Sequence, residues 1–128
     1  MIVVDTSVWV EVLRKPASRR AATLTALLDA DEVALALPVR IELMSGVARK
    51  DRRTLGRGLS ALPVVLPSEE TWRVIESWVA PAADAGHRFS VTDLLIAGVA
   101  ADLGALVWAV DGDFDAMASL GLVQLYGE

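Results

Sequence analysis

The sequence of 128 residues contains no cysteine and a single histidine. The absence of cysteine excludes disulfide bonds, thiol nucleophiles and zinc sites with thiolate ligands. A Ser/His/Asp triad would have to use His87, which no nucleophile-elbow motif accompanies. The longest apolar run lies between Asp93 and Asp102, far short of the roughly 20 residues that cross a bilayer. The sequence therefore predicts a soluble, cytoplasmic protein that makes no use of thiol chemistry.

Hydrophobic residues make up 54% of the chain and charged residues 23%. A chain of this length and composition can bury a substantial core, but it is too short for two ordinary domains. No internal repeat, low-complexity stretch or linker interrupts it. We therefore expect one domain that spans residues 1–128.

The net charge of −5 argues at first against a nucleic-acid partner, because polyanion binding depends largely on lysine and arginine. The charge is unevenly distributed, however. Residues 1–57 carry ten of the twelve basic residues and seven acids, a balance near +3, whereas the remainder is near −8. This asymmetry is compatible with a basic surface beside an acidic pocket, although any single arginine can equally belong to a solvated helix face.

Strand-like and helix-like patterns alternate along the chain, which predicts an α/β fold with a mainly parallel sheet of about five strands flanked by helices. The predicted strands are residues 2–4, 33–37, 64–66, 106–110 and 122–126. The predicted helices are 7–13, a helix capped by Ser18, one opened by Pro38, 51–62, one capped by Ser68 that frays near Pro81, 91–103 ended by Gly104, and 114–119.

Two aspartates follow predicted strands. Asp5 comes directly after the apolar run of residues 2–4, and Asp111 comes at the end of the strand 106–110. Ligands of open α/β sheets bind at the carboxyl ends of the strands, which favours a functional role for both. The alternative for Asp5 is a helix cap, and the alternative for Asp111 is an ordinary polar turn with Asp113.

Two further acids lie in predicted helices with apolar faces. Asp93 is one turn into the apolar helix 91–103, where an unpaired carboxylate is costly to desolvate, although a first-turn acid also interacts favourably with the helix dipole. Glu42 falls on or at the border of the helix face that we expect to pack inward.

Taken together, the four acids suggest one crevice at the carboxyl edge of the sheet. Carboxylates brought together repel each other, and a hard divalent cation such as Mg²⁺ or Mn²⁺ is the usual remedy. A site of this kind supports metal-assisted hydrolysis of a phosphodiester, without histidine or cysteine.

The same residues resemble the PIN-domain ribonucleases, specifically the VapC toxins of type II toxin–antitoxin systems. The similar segments are VVDTSVW at residues 3–9, RIEL at 40–43 followed by Gly46, SVTDLLIA at 90–97 and DGDF at 111–114. Each motif alone is weak, but their order, their spacing and the total length agree over essentially the whole chain.

The resemblance implies a Mg²⁺- or Mn²⁺-dependent endoribonuclease with Asp5, Glu42, Asp93 and Asp111 as its catalytic and metal-binding acids. It implies Asp113 as an auxiliary ligand and Thr6 as a hydroxyl that orients water or a phosphate oxygen. The products would carry a 5′-phosphate and a 3′-hydroxyl. The implied partners are an RNA substrate, a VapB-type antitoxin and a second copy of the chain, with no membrane. The basic residues expected to contact RNA phosphates are Arg14, Lys15, Arg49, Arg52 and Arg53.

One departure from the family pattern is Ala109, since the family commonly has threonine or serine two residues before the fourth acid. This departure leaves open a second interpretation, a PIN-like binding module with weak or no catalysis. A third is a phosphatase of the haloacid dehalogenase type, but such enzymes need an aspartate where Ser7 stands.

Overall fold

A computed structural model describes residues 1–127 of the chain. In this part of the protein, four strands alternate with seven α-helices. The strands are β1 (Ile2–Val4), β2 (Val33–Ala36), β3 (Val64–Val65) and β4 (Leu106–Trp108). The helices are α1 (Thr6–Arg14), α2 (Arg19–Asp29), α3 (Leu37–Gly46), α4 (Arg52–Ser60), α5 (Glu69–Asp84), α6 (Val91–Leu103) and α7 (Gly112–Ser119), and a 3₁₀ turn (Arg49–Asp51) precedes α4.

The four strands form one parallel sheet in the order β3-β2-β1-β4, as the α/β prediction required. In the centre, Val3 lies opposite Ala34 on one side and Val107 on the other. All three side chains are buried, because helices cover both faces of the sheet. From β1 the chain adds β2 and β3 on one side of the sheet and then adds β4 on the other side of β1. At such a reversal in strand order, a parallel sheet forms a crevice at the carboxyl ends of its strands.

The helix starts predicted from three serines and the helix end predicted from Gly104 are confirmed. The hydroxyls of Ser18, Ser68 and Ser90 accept hydrogen bonds from the first turns of α2, α5 and α6. Helix α6 has the predicted bounds, and Gly104 ends it with φ of 62°, a left-handed conformation that glycine adopts without strain.

Helices α5 and α6 pack unusually closely at Gly98. A Cβ atom at this position would lie 2.6 Å from Cγ2 of Ile75 and 3.0 Å from Cγ2 of Thr71. The buried Thr71 also donates a hydrogen bond to Asp102, so the two helices are joined by a polar contact beside the close approach. This packing fixes α6, the helix that carries Asp93.

The predicted fifth strand, residues 122–126, is not formed as a strand in the described part of the chain. Only an isolated parallel bridge joins Val107 to Leu125, with bonds from Val107 N to Gln124 O and from Tyr126 N to Val107 O. The N–H of Leu122 instead bonds to the carbonyl of Met117 and closes α7, so the extended segment begins too late to pair further.

Other predicted boundaries were also wrong, among them the end of α4, at Ser60 instead of residue 62, and the start of α7, at Gly112 instead of residue 114. Strand β4 ends at Trp108 rather than at residue 110, because Trp108 pairs with Val4 and α1 begins directly after Asp5, which leaves the next residues of β4 no partner strand. Helix α5 does not fray near Pro81 but continues through it to Asp84. Pro81 is exposed to solvent, so water can hydrogen-bond to the backbone carbonyl in the preceding turn that the proline, which has no N–H, leaves without a partner.

Within residues 1–127, no helix has the length and apolar character needed to cross a membrane.

Candidate active site

Asp5 lies at the junction of β1 and α1, where it directly follows the strand and caps the helix. Its side chain is buried, with a residue exposure of 4%. Oδ2 accepts hydrogen bonds from the backbone N–H of Ser7 (3.1 Å) and from the Ser7 hydroxyl (2.5 Å). Burial raises the pKa of Asp5, and the negative charge of Glu42 adds to the increase, while the bonds from Ser7 and the backbone N–H of Thr6 oppose it.

Glu42 lies on α3 and is exposed, so of the two predicted positions it takes the border of the inward face and not the face itself. Its neighbours Val39 and Leu43 occupy the buried positions of the helix instead. The carboxylate nevertheless points toward Asp5, since Oε1 accepts a 2.6 Å hydrogen bond from the hydroxyl of Thr6. Glu42 is therefore placed beside the site and remains accessible to solvent.

Asp93, Asp111 and Asp113 form a carboxylate cluster. Each offers an oxygen atom, and these atoms lie within 4.8 Å of one another. Asp93 is in the first turn of α6 and is half-buried, whereas Asp111 and Asp113 are exposed at the start of α7. Asp111 caps α7 by accepting a 2.9 Å bond from the N–H of Asp113, which brings the two acids together.

The negative charges of the carboxylate cluster repel one another. Burial raises the pKa of Asp93 to about 7, and the charges of Asp5, Asp111 and Asp113, together with a hydrogen bond with Asp113, contribute in the same direction. Carboxylate oxygens from three residues are the donor set that a hard divalent cation prefers, and such a cation relieves this repulsion. The donor set of Asp93, Asp111 and Asp113 therefore suits a hard divalent cation such as Mg²⁺ or Mn²⁺.

Electrostatic contacts connect all five predicted acids. The charge of Glu42 acts on Asp5, that of Asp5 acts on Asp93, and Asp93 belongs to the carboxylate cluster. Asp5 and Glu42 thus border the cluster without sharing its short distances. The acids come together because β1 and β4 are neighbours in the sheet, at the point where the strand order reverses.

Ser7 is a site residue to which the sequence analysis gave no role of its own. Its hydroxyl accepts a 3.2 Å hydrogen bond from the N–H of Val110, in addition to its bond to Asp5. A hydroxyl two residues after a capping aspartate is a local signal for a bond to that aspartate. The contact with Val110, 103 residues away, has no such signal in the sequence.

The predicted RNA-binding residues lie in three places. Lys15 lines a cavity of about 560 Å³ between α1 and α2, together with Ser18, Arg19, Arg20, Thr23, Glu11 and Tyr126. Arg14 lines another cavity, of about 320 Å³, whose walls include Glu42. Arg49, Arg52 and Arg53 are exposed on the 3₁₀ turn and on α4.

Comparison with known proteins identifies relatives over the whole length of the chain. Residues 2–120 match the PIN domain family. Ribonuclease VapC11 of Mycobacterium tuberculosis is 33% identical over 129 aligned residues, which cover 97% of this chain and 96% of the relative. The toxin–antitoxin complex VapBC2 of Rickettsia felis, solved with a DNA fragment from its promoter, has a chain with a TM-score of 0.80 and 20% identity that covers 98% of each chain. VapC20 of M. tuberculosis, described as a toxin that cleaves the sarcin-ricin loop, has a TM-score of 0.65 and 20% identity over 91% of this chain and 94% of that one.

Proposed function

Because this chain belongs to the PIN-domain family and to its VapC ribonucleases, we propose that it is a metal-dependent endoribonuclease and the toxin of a toxin–antitoxin pair. The observation that carries the proposal is the carboxylate cluster of Asp93, Asp111 and Asp113, whose oxygens lie within 4.8 Å beside the buried Asp5. Membership of this family leaves the haloacid dehalogenase interpretation without support.

In this proposal, Asp93, Asp111 and Asp113 hold a Mg²⁺ or Mn²⁺ ion, with Asp5 as a further ligand. When bound, the cation supplies positive charge that offsets the negative charge developing on the phosphate. The carboxylates of these four aspartates are sufficient to provide the oxygen ligands that these cations prefer.

Glu42 and Thr6 would orient the attacking water. The hydroxyl of Thr6 donates its proton to Oε1 of Glu42, so its lone pairs remain able to accept a hydrogen bond from water. Glu42 is exposed, and its second carboxylate oxygen can accept another. In hydrolysis, the water oxygen bonds to phosphorus and the bond from phosphorus to O3′ breaks, which leaves a 5′-phosphate and a 3′-hydroxyl.

The basic surfaces support an RNA substrate. Arg14 shares a cavity with Glu42, so a cation stands next to the acidic site, where a flanking phosphate would need one. Lys15 and Arg19 line a second cavity, and Arg49, Arg52 and Arg53 are exposed on the 3₁₀ turn and on α4. Contacts of this kind position the RNA backbone without specifying its sequence.

An antitoxin and a second copy of the chain are the proposed protein partners. A basic side chain of an antitoxin would be attracted by the clustered carboxylates of the site. A dimer is supported by exposed apolar residues on α5, where Trp72 and Val79 are 49% and 53% exposed and lie two turns apart on one face.

The test is cleavage of a panel of tRNAs and structured RNAs by the purified chain, with Mg²⁺, with Mn²⁺ and with a chelator. We expect cleavage that requires the cation and is lost in Asp93→Asn. The matched control is Asp84→Asn, which makes the same change at an exposed position at the end of α5 and should retain activity. Absence of cleavage, with no cation uptake in calorimetry, would favour the inactive binding module that Ala109 suggests.

A further inference from the structure

The hydroxyl of Ser7 connects two segments that carry acids of the proposed metal site. It donates a 2.5 Å hydrogen bond to Oδ2 of Asp5 and accepts a 3.2 Å bond from the backbone N–H of Val110. A serine hydroxyl has one proton and two lone pairs, so it can make both bonds at once. Val110 is the residue directly before Asp111.

On the first segment, Ser7 determines the orientation of the Asp5 carboxylate. Oδ2 accepts both the backbone N–H and the hydroxyl of Ser7, at 3.1 Å and 2.5 Å. Two bonds to one oxygen, from a residue that is itself held in the first turn of α1, restrict rotation of the carboxylate. Asp5 is buried, so the same bonds also compensate part of its desolvation.

On the second segment, Ser7 holds the short connection between β4 and α7. This connection is anchored at its start by the bond from Asp5 N to Trp108 O (2.8 Å) and at its end by the Asp111 cap of α7. Ala109 brings no hydroxyl to the stretch between these anchors. The bond from Val110 to Ser7 supplies a polar contact in the middle of it.

We propose that Ser7 is a positioning residue that fixes Asp5 relative to Asp111 and Asp113, and thereby sets the geometry in which these acids bind a divalent cation. The inference rests on the proposed function, because it assigns a role in the same metal site. Residues that orient metal ligands typically change metal affinity by about 10- to 100-fold when they are removed.

The experiment compares the full chain with Ser7→Ala and Ser7→Thr. Calorimetry without RNA measures the affinity for Mn²⁺, and NMR measures hydrogen exchange of the Val110 amide in the metal-free protein. We expect Ser7→Ala to bind Mn²⁺ about tenfold more weakly and to lose protection at Val110. Ser7→Thr keeps the hydroxyl and should restore both. The control Ser68→Ala removes a hydroxyl that caps α5, and it should lower the melting temperature while leaving Mn²⁺ affinity unchanged.

Each outcome decides a different point. Unchanged protection of the Val110 amide in Ser7→Ala would overturn the connection between the two segments, whether or not a cation binds. Lost protection with unchanged Mn²⁺ affinity, or a Ser7→Thr variant as weak as Ser7→Ala, would overturn the role of the hydroxyl in the metal site. If the unmodified chain binds no Mn²⁺, the metal-dependent function and the metal role of Ser7 both fail, and the amide measurement still decides whether Ser7 holds the connection.

Discussion

The hydroxyl of Thr6 donates a 2.6 Å hydrogen bond to the carboxylate of Glu42, and so joins the start of α1 to the middle of α3. The two residues are 36 positions apart in the chain. Through this bond, an exposed glutamate is held next to the buried Asp5, whose pKa is raised by burial and further by the charge of Glu42.

Loss of this hydroxyl should reduce RNA cleavage with little effect on stability. In Thr6→Val, which keeps the shape of the side chain, Glu42 loses its hydrogen bond and the freedom of its exposed side chain increases. We expect a lower kcat, because the orientation of water depends on both groups. The free energy of unfolding should fall by no more than about 1 kcal/mol, the typical net contribution of one hydrogen bond. Thr6→Ser retains the hydroxyl and should retain activity; equal loss in both variants would contradict the assignment.

The stability of the metal-free protein should decrease as the pH rises from about 5 to 8. The pKa of Asp93 is raised from 3.8 to about 7, so the folded state binds a proton in this range that the unfolded state releases. The stabilisation is complete below the unfolded pKa and is lost as the pH rises through 7. Burial raises the pKa of Asp5 in the same direction.

Melting temperatures measured across this pH range, with and without Mn²⁺, check the prediction. Because the cation competes with the proton, its stabilising effect should increase with pH. Asp93→Asn should flatten the dependence in the metal-free protein. A melting temperature of the metal-free chain that rises between pH 5 and 8 would contradict the raised pKa.

Substitution of Gly98 by alanine should destabilise the protein by about 1–3 kcal/mol, as overpacking of a close contact typically does. The added Cβ would lie 2.6 Å from Ile75 and would force α5 away from α6. Gly58→Ala is the matched control, because a Cβ there has no neighbour within 4 Å among the described residues and alanine favours the helix by about 0.5–1 kcal/mol. Urea denaturation of the two variants should therefore give changes of opposite sign.

Neutralising Arg52 or Arg53 should weaken RNA binding and make it less dependent on salt. Each lost phosphate contact should reduce the slope of log K against log[salt] by about 1. Arg73→Ala removes the same charge from α5, where Arg73 is paired with Glu69 at 2.6 Å, and it should leave the slope unchanged. Filter binding with a catalytically inactive Asp93→Asn background allows the measurement on intact RNA. Equal slopes for all variants would remove α4 from the RNA-binding surface.

The fold was predictable from the sequence to the extent that local signals define it. Serine caps and Gly104 mark helix ends within one turn of chain, and short apolar runs mark the strands, such as the buried β-branched run Ile2–Val4. The failed fifth strand and the early end of β4 depend on whether a partner strand is available at that point. Periodicity within a segment contains no information about such a partner.

By itself, the sequence determined that Asp5 directly follows a buried strand and that Asp93 lies in the first turn of a helix, because capping and strand propensity act between neighbouring residues. Only the tertiary structure decided that Glu42 is exposed and held by Thr6, that Asp93, Asp111 and Asp113 come within 4.8 Å, and that Ser7 bonds to Val110. These relationships join residues far apart in the chain, and they arise from the parallel pairing of β1 with β4, from the packing of α1 against α3 and from the close packing of α5 against α6.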